Sequence, residues 1–227
     1  MTFFKERADI QTADMLQLPV PKAEYHDIVL TPSELQKRMV RELGERAEAV
    51  RRGNVDPTKD NMLRITTDGR KLALDERLID ESLDGTNSKA RRCAETALRI
   101  WKETMEQKSA QLIFCDLSTP RKDGFDVYTE LKKQLMEGGV PEKEIAFIHD
   151  AGTDARKTEL FGKVRRGNVR FLLGSTAKMG AGTNVQDRLI ALHHLDVPWK
   201  PSDVGRILRT FKIKKNVEVT DNGKIII

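Results

Sequence analysis

Gly174, Ser175, Thr176, Gly180, Gly182, Thr183 and Asn184 fall within eleven consecutive positions. Few side chains in such a stretch stand between the backbone and an approaching oxyanion, so amides and hydroxyls can close on a phosphate. Gly180 and Gly182 also take positive φ at little cost. Lys178 and Lys163, with Arg165, Arg166 and Arg170, are candidates to face a phosphate backbone; a solvated charge run is the alternative. Other chemistry is thinly represented. His26, His149, His193 and His194 lack the Cys/His/Asp spacing of a zinc site, and the adjacent pair, if on a strand, points to opposite faces. No Gly-x-x-x-x-Gly-Lys-Ser/Thr loop is present: Gly162-Lys163-Val164 lacks the magnesium-binding hydroxyl and sits in a helical stretch. Asp75-Glu76-Arg77 follows a helical stretch, where an acidic metal-binding box would follow an apolar strand.

The elements that must position the glycine loop are readable on both sides. Residues 169–173 form a short apolar, β-branched and aromatic run of the length of a buried parallel strand. A second apolar run, 189–195, ends on Asp196, Pro198, Trp199 and Pro201. Upstream, 111–115 and 145–149 read as strands, with helices over 89–108, 123–137 and 153–166. Cys93, Ala97, Ile100, Trp101 and Met105 lie on or near one face of the first helix, and Tyr128, Leu131 and Leu135 point inward from the second. The third carries Leu160 and Val164. Strands alternating with helices predict an α/β fold, a parallel sheet covered on both faces.

The first 85 residues differ in character. Leu18-Pro19-Val20-Pro21 forbids helix, 25–30 alternates like a short strand, and Thr31-Pro32-Ser33-Glu34 opens a helix with Thr31 as cap and Glu34 completing a capping box. Leu35, Met39, Leu43, Ala47 and Val50 then recur at helical spacing down to Gly53. A second helix over 61–74, interrupted near Asp68-Gly69, leads to a polar linker at 80–88 that marks a domain boundary. The expected organisation is a mainly helical segment at 1–85, an α/β lobe at 86–210 and a divergent tail at 211–227, where Asp221-Asn222-Gly223 suggests a hairpin.

Composition bounds the class. The 227 residues carry 40 Lys+Arg against 35 Asp+Glu, a net +5, which is a mild basic bias compatible with a nucleic-acid partner. Hydrophobic residues are 38% and aromatics 5%, so the core must be mainly aliphatic. Cys93 and Cys115 sit in apolar runs and are expected to be reduced and packed. The N-terminus is charged where a signal peptide would be apolar, and no run approaches the ~18 apolar residues of a membrane span. A soluble, cytoplasmic protein is expected.

The order strand, Ser175-Thr176, Gly180-Ala181-Gly182-Thr183-Asn184, strand, Asp196, Trp199-Lys200-Pro201 resembles motif V and the strand after it in the C-terminal RecA-like lobe of superfamily 2 helicases, most closely the Swi/Snf-like translocases. Residues 111–120, QLIFCDLSTP, fall at motif IV, and Gly205-Arg206-Ile207-Leu208-Arg209 matches the centre of motif VI, without the Gln-Arg pair that should precede it. Leu18-Pro19, the run 25–30 and Ser33 with Gln36 resemble the segment after the first lobe. The whole is similar to the helicase half of phage and mobile-element helicase-methylase polypeptides. The resemblance implies DNA contacts from Ser175, Thr176, Lys178 and Thr119, and a nucleotide-coupling loop of Gly180, Gly182, Thr183, Asn184, Gln186 and Asp187. It implies that Arg206 and Arg209 reach the γ-phosphate, where planar cations stabilise transition-state charge. ATP and Mg would be held only together with a first RecA-like lobe, in another chain or a missing part of the polypeptide; alone, the chain is not expected to hydrolyse ATP.

Two other readings stand beside this one. A non-enzymatic DNA-binding or interaction fragment of a truncated gene has the same motifs. Asp116-Leu117-Ser118-Thr119-Pro120-Arg121-Lys122-Asp123-Gly124 also looks like the phospho-acceptor loop of response-regulator receivers, with Asp116 as acceptor, though the acidic pair and the Lys-Pro of that family are missing.

Overall fold

The computed structural model describes residues 22–179, 183–196 and 224–226. It opens with strand β1 (Lys22–Glu24) and helices α1 (Glu34–Arg51) and α2 (Met62–Leu74). Helix α3 (Lys89–Glu103) leads into β2 (Ala110–Phe114), then α4 (Val127–Glu137), β3 (Ile145–Phe147), α5 (Asp154–Arg165) and β4 (Phe171–Gly174). A single turn, α6 (Thr176–Met179), precedes β5 (Leu189–His194), and β6 (Lys224–Ile226) completes the sheet. The strand order is β1-β6-β5-β2-β4-β3, and every described pairing is parallel.

Parallel strands buried on both faces are mostly apolar, and β2, β4 and β5 are, apart from Gln111 in β2 and His193 and His194 in β5. Alternate side chains then feed two separate cores. Ile113, Phe171 and Leu173 pack with Cys93, Ala97 and Trp101 of α3 and Tyr128, Leu131 and Leu135 of α4. On the opposite face Leu112, Phe114, Leu172 and Leu192 pack with Val164 of α5 and Met179 of α6. Cys93 and Cys115 are buried free thiols within the first core, and burial pushes both thiols up, that of Cys93 to about 12. The fold class expected from the sequence is the one observed.

Local signals set the helix boundaries. Asn61, Ser88, Asp126 and Thr153 each accept, through the side chain, the amide three residues on. At the other end, α5 stops at Gly167, whose φ of +75° suits glycine. A Cβ there would also lie 2.8 Å from Cβ of Lys108.

Several expectations need correction. Residues 25–30 are not a strand; the chain pairs one turn earlier, at Lys22–Glu24, and Val29 is 88% exposed, so the alternation has no sheet to lie against. The cap of α1 is Ser33, not Thr31, and the capping box is closed by Gln36, not Glu34, because the helix begins two residues later than Pro32 suggested. Helix α2 runs unbroken through Asp68-Gly69: the Asp68 carboxylate pairs with Arg46 of α1 at 3.0 Å, and Gly69 keeps helical backbone facing Leu43. Helix α3 stops at Glu103, leaving Met105 half exposed, while α4 starts only after Asp126. Beyond Phe147 the third strand turns into a 3-10 turn, Ile148–Asp150. In the tail, β6 pairs in parallel with β1 and β5; the turn Asp221-Asn222-Gly223, where a hairpin was expected, lies outside the described residues.

Arg170 also departs from expectation. Read as a candidate phosphate contact, it is 2% exposed and donates to the carbonyls of Ser109 (2.9 Å), Thr104 (2.9 Å) and Trp101 (3.2 Å). It closes the C-terminal end of α3 against the start of β4, where last-turn carbonyls have no helical partner.

Candidate functional site

All strands of a parallel sheet end on one side, and in open α/β folds the loops on that side are where ligands bind. Here the ends of β2, β4 and β5 are tied together by two carboxylates. Asp196, just beyond β5, accepts the amide of Asp116 at 3.0 Å on both oxygens and that of Leu117 at 2.5 Å. Asp116, just beyond β2, in turn accepts the amide of Thr176, the first residue of α6, at 2.6 Å. Burial pushes the Asp196 carboxyl up from its ordinary value, and the two amides pull it back.

The β2 loop is built inward from there. Tyr128 donates its hydroxyl to the Cys115 carbonyl at 2.7 Å, and Ser118, 2% exposed, accepts the amide of Val127. Thr119, next along, is left exposed at the rim. Below α6, Gly174 is in close contact: a Cβ would meet Ile148 Cγ2 and Met179 Cγ and Sδ, each at 2.6 Å. The turn is thus pressed onto the sheet from one side and tethered to Asp116 on the other.

The residues singled out from the sequence fall into three groups. Ser175 and Thr176 are buried, 8% and 6% exposed, and the Thr176 amide is taken by Asp116, so neither is presented at the surface as a DNA contact would be. Lys178 is exposed on the outer face of α6 and Thr119 on the β2 loop, both at this edge. Thr183 is buried and returns its hydroxyl to the Met179 carbonyl at 2.9 Å, while Asn184 is exposed and its carbonyl accepts from Arg165 at 2.5 Å. Gln186 and Asp187 are half-buried in the 3-10 turn Gln186–Arg188. Gly180, Gly182, Arg206 and Arg209 lie outside the described residues. Of the other cations, Lys163 pairs with Glu159 at 2.8 Å.

The histidines take structural places. His193 and His194 point to opposite faces of β5, as expected of neighbours on a strand. Gln111 donates its amide to the Ala97 carbonyl and so turns its oxygen to His193 Nε2 at 2.9 Å, which makes that nitrogen the protonated one. Burial lowers His193 to about 4. His194 stacks on Phe114, ring centres 4.9 Å apart, and neither of its nitrogens has a hydrogen-bond partner. Among the described residues, no three His, Cys, Asp or Glu are grouped to hold a metal ion, and no helix is long and apolar enough to cross a membrane.

Asp116 and Asp196 were visible in the sequence as an acidic residue after each apolar run. Their connection was not, since the partners lie 80 positions apart. The strand order also bears on the receiver reading: the first strand of the α/β region lies between the fourth and third, whereas receivers follow 2-1-3-4-5.

Among solved structures, the chain is similar to the C-terminal part of the Fun30 ATPase domain, with a TM-score of 0.51 and 12% identity, over 91% of this chain and 85% of that one. The DUF1998 helicase MrfA bound to DNA matches 63% of the chain at a TM-score of 0.42 and 12% identity; the chain spans 18% of its length. No protein-family model and no curated protein matches. The first likeness shows a shared fold, a RecA-like parallel sheet with helices on both faces.

Proposed function

We propose that this chain is the second RecA-like lobe of an ATP-dependent, Swi/Snf-like DNA translocase, and that the rim carrying Thr119 and Lys178, with Ser175 and Thr176 packed behind it, holds the phosphate backbone of one DNA strand. The observation that carries the reading is the 2.6 Å bond from the Thr176 amide to Asp116, which brings the β2 loop and the start of α6 to one edge with Thr119 and Lys178 both exposed. Motifs some sixty positions apart in sequence thereby become one surface. The likeness to part of an ATPase domain supports the same reading.

The roles follow from chemistry. Lys178 supplies a point charge and Thr119 a hydroxyl, contacts that fix register on a duplex without reading its sequence. Thr183, Asn184, Gln186 and Asp187 carry the coupling loop toward β5, and Arg206 and Arg209 are assigned to face nucleotide held by a first lobe. ATP with Mg, when held there, supplies the phosphoryl transfer that drives movement; this chain supplies the grip on DNA and the arginine face.

Two measurements test it. Replacing Thr119 and Lys178 with Ala should weaken duplex binding in fluorescence anisotropy and lower the magnitude of the salt slope by about 1, one phosphate contact fewer for the lost lysine. Phosphate release should appear only when the chain is mixed with a separately expressed Swi/Snf-like first lobe and DNA. Binding and salt slope identical to wild type would overturn the DNA rim, and no release on mixing would leave a binding module.

A further inference from the structure

The amide of Thr176 is the first of a four-residue helix, so no carbonyl of that helix can accept it. Asp116 accepts it from another strand. A carboxylate is the strongest cap available to such an amide, because a charge-assisted bond is about twice as strong as a neutral one. The arrangement is costly as well as strong. Asp196 sits 8% exposed with a second carboxylate close enough to raise its proton affinity further, and it spends both oxygens on the Asp116 segment. An amide or hydroxyl side chain would shape a turn without that repulsion.

The path has a direction. It begins at the end of β5, from which the chain continues in sequence toward Arg206 and Arg209, crosses the β2 loop that carries Thr119, and ends at α6 with Lys178. Gly174 leaves α6 no slack toward the sheet, since Ile148 and Met179 fill the space a Cβ would take.

We propose that Asp196 and Asp116 are positioning residues forming a relay, through which the end of β5 sets the placement of Lys178. This rests on the DNA-rim reading and adds to it: the acidic pair touches neither DNA nor nucleotide and acts by holding the residue that does. A displacement at the end of β5 moves the amide-bound β2 loop, and the Asp116 carboxylate carries α6 with it.

The wild-type protein gives the first test. If the relay holds, the Thr176 amide is protected in hydrogen exchange followed by NMR, and more so in wild type than in D116A; exchange at the rate of a free amide in wild type overturns it, since no carbonyl of α6 can accept that amide. The second test compares D116A, D116N and K178A in duplex-DNA binding. D116A removes the acceptor and should weaken binding about tenfold, the scale of one charge-assisted bond. D116N keeps an acceptor oxygen and should restore binding to within about twofold. Wild-type affinity in D116A together with weakened K178A overturns the relay and leaves the DNA rim standing. Wild-type affinity in K178A overturns the rim itself.

Discussion

Arg77 meets Glu130 of α4 at 3.1 Å while gripping Asp75 with two further bonds of 2.9 and 2.8 Å. Its guanidinium also lies 4.2 Å from the centre of the Phe125 ring. One side chain thus fastens the segment after α2 to the α/β lobe. Glu81 adds a bond to the Phe125 amide, and Gln36 and Asn87 join α1 to the start of α3.

Arg77→Ala should therefore be strongly destabilising. Asp75 is fully buried, and removing its partner leaves an uncompensated charge, a loss of about 3–5 kcal/mol. Urea denaturation followed by far-UV circular dichroism measures it. A loss under 1 kcal/mol would mean that Asp75 finds another partner.

Gly174→Ala probes the seat of α6. The added methyl would meet Ile148 and Met179 at 2.6 Å, and overpacking of this kind costs about 1–3 kcal/mol. Thermal melting should fall accordingly, and duplex-DNA binding should weaken with it because Met179 ends the turn that carries Lys178.

Stability should depend on pH through His193. Its folded value of about 4 lies below the ordinary histidine value of 6.5, so the folded state binds fewer protons than the unfolded chain between these values. Stability is therefore fully present above pH 6.5 and falls as pH drops through about 4. The full window amounts to on the order of 3 kcal/mol. His149 and His194 are lowered as well, also by burial, and add in the same sense. Denaturation of wild type and His193→Gln at pH 7 and pH 5 should show a shallower pH dependence in the variant; equal slopes would assign the effect to the other two.

The sheet was legible because strands buried on both faces leave little freedom: β2, β4 and β5 are mainly apolar runs, broken only by Gln111, His193 and His194, and each was expected within two residues of its place. Helix starts were legible where one capping side chain decides them, at Asn61, Ser88 and Thr153. Where two candidates compete, as Thr31 and Ser33 do, the local rule fits both, and only the Gln36 contact back to the Ser33 amide separates them.

The candidate rim divides along the same line. Sequence alone placed Ser175, Thr176 and Lys178 after a buried strand and Thr119 after another, because residue type and spacing act over a few positions. Only the tertiary structure decided that these two loops share an edge, that Arg170 is an internal brace for α3, and that Asp116 belongs to Thr176. Hydrogen bonds across 60 positions carry no periodicity a chain can display; they exist once parallel pairing has brought β2 between β4 and β5 and turned all three ends to the same side.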